Sequence, residues 1–122
     1  MQDFRNLKVW QKAHELALLT YHLTADFPRE ETFGLRHSMR KTSVDIPAYI
    51  AEGCGKTNDA EFGRSISAAF GFASRLEYYA LMACDLEMLA ESVHKDHQQK
   101  VVEVKKMLSG FNQRLAHAFG EP

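Results

Sequence analysis

The chain has 122 residues, 15 of them basic and 16 acidic, for a formal net charge of −1. That length makes one domain, 1–122, able to bury about two thirds of the surface its unfolded chain exposes. The near-zero charge excludes a nucleic-acid binder held by bulk charge alone. Two cysteines, Cys54 and Cys84, are too few for a disulfide framework and are expected as free thiols in a reducing cytoplasm. Met1-Gln2-Asp3-Phe4-Arg5 shows no basic start followed by an apolar run, so no secretory leader is expected. No apolar stretch approaches the roughly 20 residues that span a bilayer, so no membrane is expected as a partner.

The first helix is expected at about 7–26, with Asn6 as its cap. Val9, Trp10, Ala13, Leu16, Ala17, Leu23 and Phe27 give it one apolar face, and Leu18 and Leu19 widen that face beyond what a monomeric bundle needs. Pro28 ends it. The second helix is expected at about 33–54, with Thr32 as a possible cap. Met39, Ser43, Ile46, Ile50 and Gly53 follow 4, 3, 4, 3 spacing, the repeat of a packed helix face. Pro47 lies inside this pattern, where it removes one backbone bond at a cost of about 3 kcal/mol. A kink near Ser43 follows; two helices split at Pro47 are the alternative. Gly53 and Gly55 are expected in left-handed conformations that stop the helix.

Asn58 caps a third helix at about 59–89, with Asp59 and Glu61 at the positive end of its dipole. Phe62, Ile66, Ala69, Ala73, Leu76, Ala80 and Ala83 form its inward face. Phe70, Phe72, Tyr78 and Tyr79 fall outside that face and fit either a subunit interface or the ends of the same core. The fourth helix, at about 93–119, carries a coiled-coil-like seam of His97, Val101, Val104, Leu108, Phe111, Leu115 and Ala118. Four helices of similar length with short connections predict an all-α, antiparallel up-down-up-down bundle.

The run Val44-x-Ile46-Pro47-Ala48-x-Ile50-Ala51-Glu52-Gly53 resembles the signature of the four-helix-bundle proteins also called 23S rRNA intervening-sequence proteins. Phe4-x-x-Leu7-x-Val9-Trp10-x-x-Ala13, the segment from Phe27-Pro28 to Phe33-Gly34-Leu35, and Ala69-x-Gly71 with Leu76-Glu77 are similar to other parts of that family. The likeness departs at Asp45, Tyr49, Phe72 and Arg75. The resemblance implies a ring-like homopentamer; no cofactor is expected, because no cofactor motif stands in the chain. Some relatives resemble retroelement accessory proteins, strongly basic ones, that bind nucleic acid and a reverse transcriptase.

No motif names a substrate. The segment Gly53-Cys54-Gly55-Lys56-Thr57 ends like a phosphate loop, but Ile50 stands where that loop needs a glycine and no strand precedes it. A di-metal carboxylate site needs two Glu-x-x-His pairs; only Glu91-Ser92-Val93-His94 has that spacing, so no metal is expected. Glu52 and Glu77 lie on apolar segments and are expected as buried carboxylates, in an internal network with Arg40, Lys41, a tyrosine or a backbone group. A metal-dependent or acid–base enzyme using Glu52, Glu77 or Glu91 with His94 is the alternative. His97 is read as a partly exposed terminal residue. Arg36, Arg40, Lys41 and Lys56, with Arg64 near, are the expected contacts to RNA or DNA phosphates. The leading expectation is thus a non-enzymatic oligomeric scaffold or adaptor with a nucleic-acid or protein partner.

Overall fold

The structure is a computed structural model and describes residues 2–118. It is all-α: α1 (Lys8–Thr24), α2 (Leu35–Cys54), α3 (Asp59–Asp85) and α4 (Glu91–Ala118), with 3-10 turns at Phe4–Asn6 and Arg29–Glu31. No strand occurs among the described residues. Each helix packs on the next, and α1 closes the bundle against α4. Across every neighbouring pair, residue numbers rise on one helix as they fall on the other, the register antiparallel neighbours require. Arg36 meets Thr24 and Arg40 meets Tyr21. Tyr49 packs on Phe72, and Gly53 on Phe62. Glu77 meets Lys105, and Ser67 meets Asn112. Lys12 meets Glu103, and Thr20 meets His97.

The expected core positions of α2 are buried: Met39, Ser43, Ile46, Ile50 and Gly53. The helix is continuous through Pro47, itself buried, so the split into two helices does not occur. Packing on both sides offsets the lost backbone bond. The two glycines do different work from that expected. Gly55 has φ −87°, and Gly53 lies within the helix. A Cβ on Gly53 would stand 2.8 Å from the Phe62 ring and 3.0 Å from the Ser65 Cβ. Gly53 is therefore needed for the close approach of α2 to α3 rather than for a turn.

Caps differ from expectation at two of three helix starts. The expected cap Asn58 holds, accepting from the Glu61 N–H at 2.9 Å. For α2, the Glu31 carboxylate and not Thr32 caps the start, accepting from the Leu35 N–H at 2.7 Å. Leu7, not Asn6, precedes α1, and Asp3 caps the short turn before it.

The third helix stops at Asp85, four residues before expected, although no glycine or proline marks the place. Glu87 takes φ 64°, and the Met88 N–H reaches back to the Ala83 carbonyl at 2.8 Å while the Glu87 N–H reaches that of Cys84 at 2.9 Å. This pair of bonds is a Schellman stop. It turns Leu89 back into the core. A left-handed conformation costs a residue with a Cβ about 1–2 kcal/mol. Replacing Glu87 by Gly is expected to raise stability by about 1 kcal/mol, read as a higher urea midpoint at unchanged slope. The fourth helix starts at Glu91, two residues before its expected start; Phe119, its expected end, lies outside the described residues.

Candidate functional site

Two of the four expected phosphate contacts are engaged by the chain's own backbone. The last carbonyls of α1 have no helical partner. Arg36 on α2 donates from Nε to the Thr24 carbonyl at 3.0 Å, from a terminal nitrogen to the Phe27 carbonyl, and from the other to the Thr32 hydroxyl at 3.2 Å. Arg40, one turn further on, donates to the Thr24 hydroxyl at 2.8 Å and to the Tyr21 carbonyl at 3.0 Å. Its guanidinium also lies 4.7 Å from the centre of the Tyr21 ring. The two arginines clamp the end of α1 onto α2. Lys41 pairs with Asp45 at 3.1 Å. Lys56 is exposed at the α2–α3 turn, beside Tyr49, Glu52, Glu61 and Arg64 around a shallow hollow of about 290 Å³. The four cations therefore do not act as one free patch.

The two carboxylates expected in the core are not buried. Glu52 is exposed. It sits on the outer side of the last turn of α2, whose inner side is taken by Ile50, Gly53 and Cys54. Glu77 is half-buried and accepts from the Lys105 ammonium at 2.9 Å, an α3–α4 pair and not the expected contact with Arg40, Lys41 or a tyrosine. The Lys105 ammonium also lies 5.2 Å from the centre of the Phe70 ring. Glu91 is exposed in the first turn of α4 and His94 is half-buried there. No group of three or more His, Cys, Asp or Glu side chains converges on a metal position among the described residues.

His97 reverses its expectation: it is fully buried. Its Nε2 lies 3.0 Å from the Thr20 Oγ, and Thr20 donates its one proton to the Leu16 carbonyl at 2.8 Å. The hydroxyl oxygen can then only accept from the ring, which puts the ring proton on Nε2. Nδ1 is left buried without a partner among the described residues. Burial, with the charges of His94 and Lys100 against only Asp96, lowers the ring's pKa from 6.5 to about 4. The chain continues: Thr24 donates to the Thr20 carbonyl at 2.9 Å and accepts from Arg40. One polar line thus crosses from α4 through α1 to α2. The signal for it in the sequence is the pair Thr20 and Thr24, four residues apart, on the otherwise apolar inner face of α1. Burial, then the nearby Asp3 carboxylate, also pushes the Cys54 thiol up from its usual value, leaving it protonated and inert.

The outer surface is apolar in places. Phe33 is 91% exposed in the connection before α2. On and just past α3, Phe70, Tyr78, Leu81, Met82 and Leu86 are all exposed, the last at 56%. Tyr78, Leu81, Met82 and Leu86 recur at spacings of three, one and four, one side of the helix.

These features define a four-helix-bundle protein without a recognisable catalytic centre among its described residues. The family model for the 23S rRNA-intervening sequence protein matches residues 5–110, and the chain belongs to that family. A crystal structure of a protein of unknown function from the S23 ribosomal protein family of Bacteroides thetaiotaomicron is similar to it. That structure has a TM-score of 0.77 at 19% identity, over 85% of this chain and 97% of the other, a likeness that concerns the fold. A search of curated proteins finds no match. Among the described residues, no helix is long and apolar enough to cross a membrane.

Proposed function

We propose that the chain is a non-enzymatic, self-associating scaffold of the cytoplasm that holds a nucleic-acid or protein partner. The observation that carries this is the row of large apolar side chains exposed along α3, which the bundle's own core leaves uncovered. Single exposed apolar residues are ordinary, whereas four on one side of one helix mark a surface built for contact. The family resemblance supports a ring of five. The partition of the cations also favours a scaffold, because Arg36 and Arg40 bond the chain's own carbonyls and hydroxyls, Lys41 pairs with Asp45, and of the four only the Lys56 side chain stands without a hydrogen bond or ion pair among the described residues.

Light scattering of the purified protein is expected to give about five times the 13.9 kDa chain mass. Replacing Leu81 by Glu, an exposed position, is expected to lower that mass toward the single chain while leaving helical content unchanged. A parent protein that runs at 13.9 kDa at micromolar concentration would refute the self-association. For nucleic acid, Lys41 and Lys56 are the informative substitutions, since loss of Arg36 or Arg40 would report on folding.

A further inference from the structure

Between the start of α1 and the end of α4 the bundle opens into a groove of about 310 Å³. Its apolar lining is Leu7, Val9, Met107 and Phe111, and the exposed side chains of Lys8, Lys106 and Arg114 edge it. Three observations set this place apart. First, α1 and α4 pack against each other less extensively than any other neighbouring helices, so this seam is the bundle's open side. Second, none of the three cations forms an ion pair among the described residues. Third, Gly110 lines the same groove, in the interior of α4. A Cβ there would meet only a terminal nitrogen of Arg114 at 3.7 Å, an ordinary contact. A helix-interior glycine costs about 1 kcal/mol relative to Ala, and nothing within the described chain requires it. It keeps the groove floor low.

We propose that this groove docks an amphipathic helix of a partner protein whose apolar face is flanked by carboxylates. A floor of Leu7, Val9, Met107 and the Phe111 ring suits the leucine-like anchors of helix-in-groove recognition, and methionine adapts to their shape. Three cations of one sign select an acidic flank and repel a basic one. Single-stranded nucleic acid fits less well, because it needs open ring faces for its bases. The Phe111 ring packs on Phe62 at 5.1 Å and has the Arg114 guanidinium 5.5 Å from its centre. The proposal rests on the reading of the chain as a binding scaffold, but not on its self-association.

The probe is a fluorescein-labelled designed helix of about 18 residues, long enough to fold when bound, with leucines on one face and glutamates beside them. Its control carries lysines for the glutamates. Fluorescence anisotropy with the full-length protein is expected to show the glutamate helix binding and the lysine helix binding about tenfold more weakly or not at all. The variant Lys8→Glu/Lys106→Glu/Arg114→Glu is expected to invert that order. Gly110→Leu, which fills the groove from a site with room for a side chain, is expected to block both while circular dichroism and parent thermal stability are kept. Absence of binding by the parent protein, equal binding of the two helices, or retention of the glutamate helix by the reversed variant overturns the proposal. Tighter, cation-dependent binding of a labelled oligouridylate would assign the groove to nucleic acid instead. A fall in the protein's own mass on charge reversal would assign it to a second copy; either result overturns the helix. If the mass is that of one chain but the glutamate helix still binds as described, self-association falls and the groove stands.

Discussion

Acidification from pH 7 to pH 4 is expected to remove about 3 kcal/mol of folding stability through His97 alone. In the unfolded chain the ring takes a proton near its ordinary pKa of 6.5; in the bundle it does so only near 4. Between those values the unfolded state binds the extra proton. Stability therefore rises with pH across that window. The contribution is complete above 6.5, is lost progressively as pH falls toward 4, and falls no further below that. The first cause is burial, which disfavours the charged ring, and the geometry does not offset it: an imidazolium needs two acceptors, Thr20 supplies one, and Nδ1 faces none among the described residues. Since small domains are stable by about 5–15 kcal/mol, the effect is a large share of the total. Urea titrations at pH 7, 5.5 and 4 measure it. His97→Leu removes the titrating group and leaves Thr20 bonded to the Leu16 carbonyl, so its urea midpoint is expected to lose most of this slope. A parent slope equal to that of His97→Leu would show that the ring is wetted and titrates normally.

The fold was legible because burial follows spacing. The seam His97, Val101, Val104 and Leu108 and the inward face of α3 are buried as their period requires. Asn58 was legible because a cap is a local event between a side chain and an amide three residues on. What escaped the sequence depends on contacts between distant residues. Glu52 reads as interior because its neighbours are apolar, yet it sits on the outer side of its turn. His97 reads as terminal because it is polar and near a helix start, yet Thr20, 77 residues away in sequence, gives it a partner in the core. Glu87 carries no sign of a chain reversal, because its conformation is imposed by the bonds that Met88 and Glu87 make to α3. The exposed row on α3 was legible in part: Phe70 and Tyr78 stand out, but Phe72 and Tyr79 are half-buried against the core.

Replacing Arg36 or Arg40 by Ala is expected to cost about 2 kcal/mol each, more than any exposed cation would. Each removal takes a donor from the end of α1, where the Thr24 carbonyl keeps only the Phe27 N–H at 3.2 Å and the Tyr21 carbonyl only the Thr24 hydroxyl at 3.3 Å. Without Arg36, the Thr24 and Phe27 carbonyls lose their side-chain donor at the point where α1 ends. Without Arg40, the Thr24 hydroxyl loses its donor and the Tyr21 ring its cation. Because one arginine holds the Thr24 carbonyl and the other its hydroxyl, the double variant is expected to cost less than the two losses added together, by about 0.5–1 kcal/mol. Lysine at either position keeps the charge but not the fork, and is expected to recover less than half of the loss. Equilibrium denaturation of the five variants decides between this clamp and a solvated basic surface. If the arginines were merely surface cations that meet phosphate, the alanine variants would unfold within about 0.5 kcal/mol of the parent and the lysine variants would be indistinguishable from it. In that case the end of α1 would be held by the burial of Phe27 and Leu23 alone, and the polar line from His97 to α2 would stop at Thr24.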